Sequence, residues 1–194
     1  MAVPPLNAMG WIVQTRLQPP NLRQDFIPRR PLLETLFQAV TARRLTLVSV
    51  PAGYGKTSLL AALPHAFPEL PLAWLSLDVD DNDPAGFLSA LAAALQRLNP
   101  ACGVTAQTVL AKLTNPAAEM RRVIGVLIND ILETLPNPFL LVLDDLHVVT
   151  EPVVYAALDY LLDRMPPHMH LAVGPSAGPG PPARPRRVGR VTSH

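Results

Sequence analysis

Leu45-Thr46-Leu47-Val48-Ser49-Val50-Pro51-Ala52-Gly53-Tyr54-Gly55-Lys56-Thr57-Ser58-Leu59-Leu60 is the stretch on which the fold turns. Its first six residues form a short, β-rich apolar run. From Lys56 a helical pattern continues as far as Pro64. Between them lies a loop with two glycines, closed by Gly-Lys-Thr. A strand, a glycine loop and a Gly-Lys-Thr helix start together make a phosphate-binding P-loop in the context that supports it. Gly53 and Gly55 let backbone N–H groups point inward around phosphate oxygens without Cβ obstruction. The helix start adds free donors and partial positive charge. Lys56, one of two lysines in the chain, can reach the β and γ phosphates, and the Thr57 hydroxyl can ligate Mg²⁺. One element departs from the pattern: Val50 stands where its first glycine belongs.

Outward from this loop, residues 31–173 alternate between helical and strand periodicity. Pro31 suits a first helical turn, with Leu32, Leu33, Leu36, Phe37 and Val40 on one face. Leu72–Leu77 reads as a second strand. Asp83 can N-cap a helix that starts at Pro84. Met120, Val123, Ile124, Leu127, Ile128, Ile131 and Leu135 form the clearest amphipathic stripe. Phe139–Leu143 reads as a third strand, Thr150 as the cap of a helix from Pro152, and His170–Val173 as a fourth strand. Continuous apolar strands separated by helices imply a parallel sheet covered on both faces. Ligands of such sheets sit beyond the carboxyl ends of the strands.

The third strand ends in Asp144-Asp145. Strands often exit into Asp-containing turns, but this pair follows the P-loop by about 90 residues. That is the Walker B arrangement, in which Asp144 holds Mg²⁺ and Asp145 orients or polarises an attacking water. His147 reads equally as a γ-phosphate sensor or as a turn-capping residue. Asp78-Val79-Asp80-Asp81-Asn82-Asp83 looks like a calcium loop, but Asp83 and Ser89 stand where an EF-hand needs Gly and Glu. A solvated acidic loop that caps the next helix is the better reading. Trp11 and Trp74 read as packing residues.

Composition narrows the function classes. Of 194 residues, 49% are apolar and 16% charged, which suits a folded core and excludes a disordered charged chain. A single cysteine, Cys102, excludes a disulfide framework and a cysteine-built zinc site. No leader-like segment or apolar run of ~20 residues is present, so the sequence reads as cytoplasmic with no membrane partner. The net charge of +1 is unevenly spread. Residues 174–194 hold five Pro, four Gly, four Arg and no acid, whereas residues 1–173 hold 12 Lys and Arg against 15 Asp and Glu. The basic segment carries too few charges and no aromatics for a nucleic-acid arm.

Thr15-Arg16-Leu17 with Pro20, Ile27-Pro28-Arg29, Leu32-Leu33, the P-loop, Trp74-Leu75-Ser76-Leu77-Asp78, Asp81-Asn82-Asp83-Pro84 and Leu141–Asp145 with His147 occur in that order. This ordered set resembles the N-terminal ATPase domain of LuxR-type, maltose-regulator-like STAND transcriptional regulators, over about residues 12–173. The resemblance implies a P-loop NTPase α/β sheet of the ASCE type, strand order 5-1-4-3-2, with helices on both faces. It implies a switch between ADP- and ATP-bound states reset by slow hydrolysis. It places Ile27 and Arg29 in an N-terminal arm (1–30) on the adenine side, and Ala52, Gly53, Tyr54, Gly55, Lys56, Thr57 and Ser58 on the phosphates. Thr57 and Asp144 then hold Mg²⁺, and Asp145 the catalytic water.

Departures begin at residue 174. There the family continues into Ser-Arg, Asp-Pro and a Leu/Arg-rich segment, but this chain reads Gly174-Pro175-Ser176-Ala177-Gly178-Pro179-Gly180. A sensing arginine has no counterpart, so turnover is expected to be slow or absent. The expected organisation is an arm (1–30), an NTPase core (31–173) incomplete at its C-terminal end with no fifth strand, and a disordered Pro/Gly/Arg tail (174–194), as a truncated or frame-disrupted gene would give. No helix-turn-helix is in view, so direct DNA binding is not expected. An uncovered sheet edge would favour self-association. The competing reading is a non-catalytic or degenerate fragment acting through protein contacts.

Overall fold

The computed structural model describes residues 12–22, 29–49 and 55–174, and the backbone of 188–191. Its strands are β1 (Leu45–Val48), β2 (Leu72–Ser76), β3 (Phe139–Asp144), β4 (Met169–Gly174) and β5 (Val188–Val191). All neighbouring pairs are parallel, in the order β2-β3-β4-β1-β5. That is the order the resemblance implies.

Period-two alternation along the buried strands sends side chains to two separate cores. On one face, Val48, Trp74, Leu140, Val142 and Ala172 pack against α1 (Arg30–Ala42) and α2 (Lys56–Ala66). On the other, Leu75, Leu141, Leu143, Leu171 and Val173 meet α3 (Pro84–Gln96), α4 (Val104–Leu110), α5 (Met120–Thr134) and α6 (Pro152–Arg164). Trp74 is buried and its indole donates to Ser76 Oγ, so it is a packing residue as expected. Trp11 lies outside the described residues.

Several boundaries differ from the sequence reading, each for a local reason. Helix α2 runs through Pro64 to Ala66; a proline in the last turn costs one ladder bond without breaking what precedes it. The cap of α6 is Glu151, whose carboxylate accepts from Val153 N, because Thr150 is occupied with Asn82. The seven-residue α4 carried no sequence signal that we read. Its first donors, Thr105 and Ala106 N–H, are taken by the carboxylate of Asp130 on α5. Asp83 does cap α3, through Gly86 N.

A larger correction concerns the C-terminal segment. We expected no strand after β4, yet residues 188–191 form β5 alongside β1, with Leu45 opposite Val188 and Val48 opposite Val191. Val-Gly-Arg-Val suits an edge, where one partner suffices and β-branched residues favour extended backbone. The ladder groups of β1 that we expected to be open are therefore paired, and the sheet edge moves to β5.

Candidate functional site

Strand register assembles the site. Ser76, Asp144 and Gly174 are opposite one another across β2, β3 and β4, in a single row at the carboxyl end of the sheet. Helix α2 begins at the same edge. Its N-cap, Gly55, has φ +75°, a left-handed conformation that costs glycine least. This turn delivers Lys56 and Thr57 onto the row. The Thr57 hydroxyl donates to Asp144 Oδ2 at 2.8 Å. Lys56 Nζ donates to the Gly174 carbonyl at 2.8 Å and lies 3.8 Å from Asp144 Oδ1.

Asp144 is 1% exposed. Burial raises its carboxyl above the ordinary range; the Thr57 hydrogen bond opposes this, the Asp145 charge adds to it, and the Lys56 charge opposes it. Asp145 N–H also donates to Asp144 Oδ1. Asp145 takes φ +58°, the only positive φ of a non-glycine residue among those described. Its carboxylate is half exposed and 3.8 Å from His147 Nδ1. The two adjacent carboxylates are thus unlike: one is buried on Thr57 and Lys56, the other stands at the rim beside a histidine.

Of the residues expected at the site, Gly55, Lys56, Thr57 and Asp144 come together, with Asp145 and His147 at the edge. Ser58 is half-buried in the first turn of α2. Arg29 is exposed at the start of α1, where its carbonyl accepts from Leu32 and Leu33 N–H. Ile27, Ala52, Gly53 and Tyr54 lie outside the described residues. A hydroxyl and a carboxylate oxygen side by side suit a hard cation such as Mg²⁺, which takes one or two protein oxygens and completes its shell with phosphate and water. No cluster of three or more His, Cys, Asp or Glu able to hold a metal occurs among the described residues.

A second network adjoins the site, and sequence reasoning missed it. Asp81, read as part of a solvated loop, is 1% exposed. It pairs with Arg16 Nη2 and accepts from Asp78 N–H. Arg16 Nε also donates to the Ser76 carbonyl, at the end of edge strand β2, and lies 3.2 Å from Asp78 Oδ2. Asn82 donates to the Val148 carbonyl and accepts from Thr150 and Glu151 N–H, so this loop braces the segment that follows Asp145. The solvated-loop reading therefore fails at Asp81 and holds at Asp83. Arg16 had been noted only within the family resemblance.

A family model described as an AAA ATPase domain matches residues 26–173. The chain belongs to this family. It is 33% identical over 162 residues to the HTH-type transcriptional regulator MalT of Cronobacter sakazakii, covering 84% of this chain and 17% of that protein. The MalT of Serratia proteamaculans is 35% identical over 161 residues, covering 82% and 17%. The serine/threonine-protein kinase PknK of Mycobacterium tuberculosis is 31% identical over 172 residues, covering 88% and 15%. This AAA ATPase domain thus spans about a sixth of the curated relatives it matches. Among solved structures, the Walker-type ATPase PABY2304 of Pyrococcus abyssi shares the fold, with a TM-score of 0.54 at 17% identity over 91% of this chain and 56% of that one. No helix among the described residues is long and apolar enough to cross a membrane.

Proposed function

We propose that this domain binds ATP and ADP with Mg²⁺ and acts as the nucleotide-dependent switch of a MalT-like, LuxR-type STAND regulator, in the cytoplasm. The observation that carries this is the Thr57–Asp144 hydrogen bond at the carboxyl edge of the sheet. It brings a P-loop hydroxyl and a Walker B carboxylate within reach of one cation, beside a lysine.

In this reading the N-terminus of α2 and Lys56 take the phosphates, Thr57 and Asp144 hold Mg²⁺, and Asp145 orients water. Bound Mg²⁺ bridges phosphate oxygens and neutralises their charge. Residues 52–54 supply loop amides, and Ile27 and Arg29 of the N-terminal arm serve the adenine side. Hydrolysis is slow or absent, because no arginine follows β4 where the family has one; such an arginine is worth ~10³–10⁵ in rate. No direct DNA contact is assigned to this chain.

A thermal-shift titration with MgADP and MgATP tests the reading. Ligand at ~100 times Kd stabilises a native site by about 2.7 kcal/mol, and Lys56→Ala should abolish that shift while leaving the unliganded transition cooperative. A wild-type chain that melts cooperatively with no shift sinks the proposal and favours a fragment acting through protein contacts.

A further inference from the structure

Lys56 holds a position that bears on how its site would fill. Its ammonium is bonded to the Gly174 carbonyl, at the last residue of β4, and its side chain is only 11% exposed. The fit depends on glycine. A Cβ at residue 174 would lie 2.8 Å from Lys56 Cε, 3.1 Å from Lys56 Cδ and 2.9 Å from Asp144 Oδ1. Any other residue would therefore push the lysine off this carbonyl.

We infer that Gly174 is a positioning residue whose carbonyl and missing side chain give Lys56 a docked state that competes with its use on phosphate. The inference rests on the nucleotide-site reading and says what that site must undo when it fills. A lysine bonded to a carbonyl and facing a carboxylate is a charge-assisted contact, so releasing it lowers phosphate affinity. The same contact ties the lysine to the end of β4, where the ladder holds Gly174 opposite Asp144.

The chain has two lysines, and the other, Lys112, is exposed and serves as an internal standard. Limiting amine-reactive labelling of the nucleotide-free full chain, read by peptide mass, should modify Lys56 about tenfold more slowly than Lys112. Gly174→Ala should bring the two rates within about threefold and tighten Mg-free ADP binding by about three- to tenfold. Leaving out Mg²⁺ removes metal binding by Asp144 from the readout, and Asp144→Asn controls for the carboxylate that the new Cβ would also crowd. Asp144→Asn, which keeps the carbonyl, should leave Lys56 protected, whereas loss of protection there would make Asp144 the holder and overturn the inference. Equal labelling in the wild type, or unchanged protection and ADP affinity in a folded Gly174→Ala chain, also overturns it. Protection of Lys56 without any ADP binding instead overturns the nucleotide-site reading; ADP binding with Lys56 unprotected overturns the role of Gly174 alone.

Discussion

Two buried aspartates lie at or just beyond the carboxyl ends of neighbouring strands, and they are built differently. Asp81, beyond β2, is matched by the Arg16 guanidinium and the Asp78 amide. Asp144, ending β3, has one hydroxyl, one amide and a lysine at 3.8 Å. Burial raises both carboxyls. Arg16 sets a full positive charge directly on the Asp81 carboxylate through Nη2, with its Nε held by the Ser76 carbonyl; Asp144 has only neutral donors in direct contact, and its nearest cation stands 3.8 Å away. The first arrangement closes a structure. The second keeps a carboxylate ready for another partner.

The most severe way to break this contrast is to remove the arginine. Arg16→Ala should cost about 3–5 kcal/mol of stability in chemical denaturation, since it strands a buried carboxylate. The deficit should shrink in acid, where Asp81 is protonated and needs no cation; a deficit that is flat with pH contradicts this account. Next comes Asn82→Ala, which unpairs the amides of Thr150 and Glu151. It should cost about 1–2 kcal/mol, and it sharpens the comparison if the loss appears as faster hydrogen exchange after Asp145 with the Thr57–Asp144 contact intact.

The smallest effect on stability is expected at Asp144. Because its carboxyl is raised in the folded state, that state holds the proton more tightly than the unfolded chain does. The resulting stabilisation is present below the ordinary aspartate pKa and is lost as pH rises through the raised value. Asp144→Asn should therefore gain on the wild type as pH rises through that window. At neutral pH it should be equal to or slightly more stable than wild type, while the Mg²⁺ dependence of ADP binding disappears. Clear destabilisation of Asp144→Asn at neutral pH would show that Asp144 is a structural carboxylate like Asp81.

The contrast also marks what could be read from sequence. Contiguous signals were legible: Gly55-Lys56-Thr57 opening a helix, the apolar Phe139–Leu143 run ending in two acids, and Asp83-Pro84 starting α3. Each is local, and register alone then brings Asp144 opposite Gly174. Arg16 with Asp81 was not legible, because the partners are 65 residues apart and an acidic run looks solvated until something basic covers it. Gly174 was visible only as a departure from the family pattern. Its use depends on a lysine 118 residues away. Strand β5 was hidden by composition, since only two of its four residues, Val188 and Val191, are strand formers and Pro, Gly and Arg dominate any window average.

The tertiary cap of α4 carries a consequence for the order in which this chain folds. Seven residues are too few to hold a helix alone in water, and the donors at the start of α4 are satisfied by Asp130, a side chain 24 and 25 residues further along. Until α5 exists and docks, α4 has neither the length nor the acceptor to persist. The region between α3 and α5 is therefore a late arrival: its amides should open together with the α4–α5 contact, and slowing α5 should delay both.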